Sequence, residues 1–189
     1  MRIAVFGGSF DPIHIAHVAI VKNALNSLNI DKLIVVPTYL NPFKTDFHLE
    51  PKFRFKLLKK IFLNYKKVEI CDFEINQNKS TYSIETIKYL KKLYNPTKIY
   101  FIIGEDNLEN LDKWHKIDDL KELVEFVVAS RSGFKNENTK TFKTLDIDID
   151  ISSTALRENI DLKFIPLEIK DDIINLQKKE KGKDFWVLD

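Results

Sequence analysis

The stretch Arg2-Ile3-Ala4-Val5-Phe6-Gly7-Gly8-Ser9-Phe10-Asp11-Pro12, followed after Ile13 by His14-Ile15-Ala16-His17, decides the fold. Ile3 to Phe6 reads as a buried strand. Gly7 and Gly8 lack a Cβ, which lets the backbone approach a phosphate closely and admits unusual φ values. Pro12 suits the first turn of a helix, whose unpaired N–H groups and positive dipole end favour an anion. His14 and His17 stand three residues apart, so on a helix they share a face and point back towards the turn. Strand, glycine turn and helix start, in that order, make an anion site before any side chain is counted.

Outward from this stretch, strand-like and helix-like patterns alternate. Short Val/Ile/Phe runs recur at Ile3 to Phe6, Leu33 to Val36, Lys67 to Cys71, Ile99 to Ile103, Glu125 to Ala129 and Thr144 to Ile149. Helical periodicity falls at Ile15 to Leu28, Lys52 to Tyr65, Ile84 to Leu93 and Asp118 to Leu123. This alternation predicts an α/β fold, a doubly wound, Rossmann-like parallel sheet flanked by helices. Ligands of such sheets bind beyond the carboxyl ends of the strands, near a switch in strand order. Pro37, Pro42 and Pro51 bracket a long loop from Thr38 to Glu50, and a polar, irregular stretch runs from Arg131 to Lys140. From about residue 152 a small helical segment closes the chain, with Phe185-Trp186-Val187 able to dock on the body. No internal repeat or interdomain linker is visible, so residues 1–189 read as one domain.

Bulk composition narrows the class. An apolar fraction of 44% with 31% charged residues belongs to a globular chain rather than a disordered one. A formal net charge of +2 gives no general polyanion binder, and the scattered lysines read as solvated faces rather than a nucleic-acid patch. Arginine is sparse: Arg2, Arg54, Arg131 and Arg157 are all there are. Cys71 is the single cysteine, which excludes an intrachain disulfide and a cysteine-based zinc site and suits a small core residue. No apolar run is long enough to span a bilayer, and Met1 leads straight into a strand, so a cytoplasmic protein without membrane partners is expected. Nothing in the pattern sets an oligomeric state.

Several polar clusters follow strands. The histidine pair admits two plainer readings, solvation of a helix end or half of a zinc site. The latter lacks ligands, since only His48 and His115 remain and no H-E-x-x-H spacing exists. Far down the chain, Ile151-Ser152-Ser153-Thr154-Ala155-Leu156-Arg157 offers Ser152 as an N-cap, and alone would be a capped helix. Arg157 adds a permanently charged fork one turn into that helix, so hydroxyls, N–H groups and guanidinium together would hold phosphates. Gly104-Glu105-Asp106 follows the strand ending at Ile103, where Asp106 fits an N-cap. Two more clusters are Thr81-Tyr82-Ser83 and Leu111-Asp112-Lys113-Trp114-His115. Trp114 lies among charged residues, which counts against simple core packing.

The opening stretch and the I-S-S-T-x-x-R segment resemble the two signatures of the nucleotidylyltransferase superfamily, with Ala16 standing where glycine is usual. Thr81-Tyr82-Ser83 and Leu111 to Trp114 are similar to the S-Y-T and L-x-x-W segments of bacterial nicotinate-nucleotide adenylyltransferases; Ser83 replaces threonine and His115 an aromatic. The resemblance implies AMP transfer from ATP, carried with Mg²⁺, to nicotinate mononucleotide. It implies that His17 stabilises the α-phosphate in the transition state with His14 assisting. Gly7, Gly8, Ser9 and Phe10 would bind ATP. Gly104 and Asp106 would meet its ribose, and Ser152, Ser153, Thr154 and Arg157 its β- and γ-phosphates. Thr81, Tyr82 and Ser83 would receive the ring carboxylate, Trp114 would stack on the pyridine ring, and Lys44, near Tyr39 and Asn41, would lie by the substrate phosphate. No metal-binding residue of the protein is implied. Pantetheine-phosphate and glycerol-phosphate nucleotidylyltransferases, or a non-catalytic nucleotide-binding module, are the alternatives.

Overall fold

The computed structural model describes residues 1–131 and 141–183. Residues 132–140 of the polar stretch and Phe185-Trp186-Val187 lie outside the described residues. Six parallel strands form one sheet: β1 (Arg2–Gly8), β2 (Lys32–Pro37), β3 (Val68–Ile70), β4 (Lys98–Gly104), β5 (Glu125–Arg131) and β6 (Lys143–Ile147). Their spatial order is β3-β2-β1-β4-β5-β6, so the direction of winding reverses between β1 and β4. That reversal opens a crevice at the carboxyl ends of these two strands.

Alternation along the strands explains the two layers. Ala4 and Phe6 of β1, with Leu33 and Val35 of β2, face one side and pack against α1 (Ile15–Ser27) and α2 (Pro51–Ile61). Ile3, Val5, Ile34 and Val36 face the other and pack against α4 (Ser83–Tyr94) and α5 (Ile117–Leu123), after the short α3 (Phe73–Asn76). A parallel sheet covered on both faces requires such continuous apolar runs. Pro51 opens α2, and Asn95 in the left-handed region ends α4. At the end of the chain α6 (Ser153–Glu158) and α7 (Lys170–Lys183) contribute Leu156 and Ile173 to the first layer. A Lys60–Asp172 ion pair at 2.6 Å links α2 to α7.

The doubly wound parallel sheet is as expected, and the boundaries shift. The periodicity predicts α2 to Tyr65, whereas it stops at Ile61; β6 ends at Ile147 rather than Ile149. Helix α3 is absent from the sequence pattern because four residues are too few to show a period. The first helix does not start at the proline. Pro12 lies in the turn after a cis Asp11-Pro12 peptide, and α1 begins at Ile15 with His14 as its N-cap.

Candidate active site

The opening turn is tight, though not in the expected way. Neither Gly7 nor Gly8 takes a left-handed φ; both still belong to β1, and the positive φ of 49° falls on Phe10. Gly8 is favoured instead by contact, since a Cβ there would sit 3.1 Å from the Phe10 ring and press it back by a few tenths of an ångström. At Gly7 a Cβ would meet the Phe101 ring at an ordinary 3.8 Å. Phe10 is buried, edge-on to Phe6 at 5.3 Å and to His17 at 5.0 Å. It shapes the turn from below.

His14 and His17 do not share a helix face in the simple sense, because His14 is extended (φ −140°) at the N-cap. Their rings stack with centroids 3.7 Å apart, and the His14 N–H donates to His17 Nδ1 at 3.2 Å. An accepting Nδ1 puts the proton of the neutral imidazole on Nε2, which makes that nitrogen a donor.

The α6 segment meets this turn. Ser152 caps α6 by accepting from Ala155 N–H at 3.2 Å. Ser153 Oγ donates to Pro12 O at 3.0 Å, and Arg157 donates to Asp11 O at 2.7 Å and to Thr154 Oγ1 at 2.9 Å. Residues 141 and 146 positions apart in sequence are therefore joined through main-chain carbonyls. Lys44 comes from the loop between β2 and α2. Loss of solvent around it and the Arg157 charge lower its pKa, while Asp11 pulls it back up. Burial is the larger of these two lowering causes, and the Arg157 charge beside Lys44 gathers positive charge at this part of the site.

At the end of β4, Gly104 is the N-cap of a 3-10 segment, Glu105–Lys113, and Asp106 lies in its first turn. The expectation of Asp106 as N-cap is corrected accordingly. A Cβ on Gly104 would collide with the Asp106 carboxylate. Trp114 ends this segment half-buried against Phe101, at 6.2 Å and 64°, so one ring supports both Trp114 and Gly7. Trp114 thus packs in part on the core, beyond what its charged neighbours suggested. Helix α4 starts at Ser83, with Tyr82 as N-cap. The Tyr82 N–H donates to Glu85 at 3.0 Å, and the exposed Tyr82 ring stacks on His115 at 4.3 Å. Thr81 is buried, with a weak 3.4 Å bond to Lys79 O.

The glycine turn, both histidines, Lys44, Gly104, Asp106, the α6 start with Arg157, and Thr81 to Ser83 with Trp114 line one cavity of about 820 Å³ over the β1/β4 crevice. Among the described residues no group of three His, Cys, Asp or Glu side chains could hold a metal ion, and no helix is long and apolar enough to cross a membrane.

Two buried charges in this region were missed by sequence reasoning. Arg54 is 1% exposed and donates to four carbonyls, of Leu49 (2.9 Å), Ser9 (2.5 Å), Thr38 (2.8 Å) and Tyr39 (2.8 Å). Burial lowers its pKa, and the Asp11 and Glu50 charges oppose that. Asp11 accepts from His48 and Leu49 N–H, both at 2.8 Å. The pair clamps the loop onto the glycine turn. A signal existed: Arg54 lies three, four and seven residues before Leu57, Leu58 and Ile61, on the apolar face of α2. The second is Glu74 of α3, which lines the cavity and accepts from Thr86 Oγ1 at 2.6 Å.

Comparison with known proteins accords with this geometry. Residues 5–159 match the family model described as "Cytidylyltransferase-like". A protein of Aliarcobacter butzleri (strain RM4018) named "Probable nicotinate-nucleotide adenylyltransferase" is 66% identical over 182 residues, covering 96% of this chain and 100% of that one. The chain belongs to the nicotinate-nucleotide adenylyltransferase family. A second member, from a Nitratiruptor species, is 50% identical over 94% of this chain and 99% of its own. Among solved structures, the Plasmodium falciparum nicotinic acid mononucleotide adenylyltransferase complexed with NaAD superposes with a TM-score of 0.75. It is 27% identical and covers 93% of this chain and 95% of that one.

Proposed function

We infer that this chain transfers AMP from ATP to nicotinate mononucleotide, forming nicotinate adenine dinucleotide and pyrophosphate, as one nucleotidylyltransferase domain of the cytoplasm. The observation that carries this reading is the union, in one cavity at the strand switch, of the β1 turn with its histidines and the α4 start with Trp114. The names of the relatives, and the dinucleotide NaAD in the Plasmodium falciparum complex, support it.

The chemistry needs little from side chains that make or break bonds. A phosphate oxygen of the mononucleotide attacks the α-phosphorus of ATP in line, a new P–O bond forms, and the bond to the β-phosphate oxygen breaks as pyrophosphate leaves. The nucleophile is already ionised, so no general base is required. What the reaction requires is alignment of two polyanions and stabilisation of charge on the α-phosphate. His17, with its proton on Nε2, donates a hydrogen bond there, and the stacked, buried His14 holds its tautomer and orientation. Gly7 and Gly8 let the α-phosphate approach the backbone, with Ser9 following and Phe10 holding the turn. Arg157, Ser152, Ser153 and Thr154 attend the β- and γ-phosphates, and ATP brings Mg²⁺ coordinated by its own oxygens. Gly104 and Asp106 meet the adenosine ribose. Lys44 neutralises the mononucleotide phosphate. Trp114 stacks on the pyridine ring, and Thr81, Tyr82 and Ser83 present the α4 start to its carboxylate.

A pyrophosphate-release assay with ATP and a panel of acceptors tests this. Nicotinate mononucleotide should turn over best, with nicotinamide mononucleotide slower and pantetheine phosphate and glycerol phosphate inert. Turnover with pantetheine phosphate alone would overturn the acceptor, and nucleotide binding without any turnover would make the chain a binding module.

A further inference from the structure

Glu74 is a carboxyl where a carboxyl is least expected. It is 5% exposed and lines the cavity beside Thr81, Tyr82, Ser83 and Thr86, the turn and first residues of α4. One oxygen, Oε1, accepts from the Thr86 hydroxyl at 2.6 Å. The other, Oε2, is sealed from solvent and has no hydrogen-bond partner among the described residues. A buried oxygen left unpaired is costly, and costliest when charged. Glu74 lines the same cavity as Thr81, Tyr82 and Ser83, which on the acceptor reading receive the substituent of the pyridine ring.

We propose that Glu74 tunes the choice between a ring carboxylate and a ring carboxamide, by taking a proton from solvent when an anionic ring binds beside it. The proposal rests on the acceptor reading above. Ionised, Glu74 sets a negative charge against the positive end of α4 and repels a carboxylate ring. Protonated, it removes that repulsion and turns one oxygen into a donor. A carboxamide ring makes no such demand.

The electrostatics agree with this geometry. Burial above all, with the Glu85 charge on α4 and against the pull of the Thr86 bond, pushes Glu74 up to about 7. The other titratable groups facing it are few. Cys71, on the segment entering α3, is pushed up by burial and by the acidic groups around it, Glu74 included, so it is a neutral thiol near pH 7. Asp72 is on the same segment, and Glu105, Asp106, Lys113, His115 and the Tyr82 hydroxyl border the same cavity. A carboxylate ring adds one more negative charge and raises the proton affinity of Glu74 again.

The test is the ratio of kcat/KM for nicotinate mononucleotide to that for nicotinamide mononucleotide, measured from about pH 6 to 9. Contributions common to both mononucleotides, those of the shared phosphate included, cancel in this ratio. In the wild type the ratio should fall with rising pH, approaching about tenfold per unit above about pH 7.5, the slope for uptake of one proton. Glu74→Gln, which still accepts from Thr86, should flatten the ratio to within about twofold. His115→Asn should keep the wild-type slope. An unchanged slope in Glu74→Gln, a slope lost in His115→Asn, or a flat wild-type ratio would each overturn the proposal. Calorimetry on the unaltered protein, in buffers of different ionisation enthalpy at about pH 8 with a non-hydrolysable ATP analogue, reads the proton directly. Nicotinate mononucleotide should take up nearly one proton more than nicotinamide mononucleotide, and equal uptake would defeat the idea whatever the variants do. Turnover of neither mononucleotide would remove the acceptor reading and this inference together. Turnover of the acid with a pH-independent ratio would remove this inference alone.

Discussion

The two ends of the cavity are built by different physics. At the proposed phosphate end, polar and charged side chains donate to main-chain carbonyls: Arg54 to four of them, Arg157 to Asp11 O, Ser153 to Pro12 O. At the ring end, contact is by aromatic surface, with Trp114 against Phe101 and Tyr82 against His115, and the polar atom of note is the unpaired Oε2 of Glu74. Under the proposed function, the first group of residues holds one backbone shape for a ligand of fixed, high charge, and the second discriminates between ring substituents differing by one charge. Damage at the first end should therefore appear as lost fold or lost rate, and at the second as altered preference.

The largest effect should come from Arg54→Met, which keeps the volume but leaves four main-chain carbonyls without their donor. An unpaired buried polar group costs about 1–3 kcal/mol, so unpairing several of these carbonyls at once should lower stability by about 3–5 kcal/mol in chemical denaturation. A loss below about 1 kcal/mol would mean the clamp is dispensable.

His17→Ala leaves the clamp intact and should instead lower kcat by about 100- to 1,000-fold with little change in the KM for ATP. Retention of a tenth of the rate would sever His17 from the chemistry.

At the ring end, Glu74→Gln should stabilise the protein at high pH. The folded-state value of about 7 lies above the usual 4.5, so the native state binds the extra proton between these values. Stability therefore falls as pH rises through that window and stays low above it. Summed over the shift, this amounts to on the order of 3 kcal/mol at about pH 8. Thermal unfolding of both proteins at about pH 4.5 and about pH 8 checks the sign: the variant should gain at the higher pH and show no gain at the lower.

The smallest effect is expected from Trp114→Ala. Loss of stacking should weaken both mononucleotides by about tenfold, the size of an aromatic pair, with their ratio nearly unchanged. A ratio that collapses would shift the choice of ring from the α4 start and Glu74 to the indole.

Several positions expected at the active site could be read early because they lie at or soon after the carboxyl end of a strand, and these ends in a doubly wound sheet are brought to one edge. Gly7, Gly104 and Ser152 are separated by whole helices, yet their local patterns are intact, and only spacing and order had to be recognised. Arg54 and Glu74 were harder for the opposite reason. Arg54 reads locally as one more cation on a lysine-rich helix, and its partners lie 5 to 45 residues away. Glu74 sits in four helical residues that no period can announce, and its partner is 12 residues on.

What the sequence determined by itself was the alternation of buried strands and amphipathic helices, the parallel sheet that follows from it, and the motifs at the strand ends. Apolar periodicity and backbone chemistry are local properties, carried residue by residue along the chain. Tertiary structure alone decided that the positive φ belongs to Phe10 and not to the glycines, that α1 starts at Ile15 rather than Pro12, and that Arg54 and Glu74 are buried beside the cavity. Each of these depends on which distant atoms fill the space around a residue: the Phe10 ring over Gly8, four carbonyls around Arg54, and the Thr86 hydroxyl against one oxygen of Glu74 with no described residue bonded to the other.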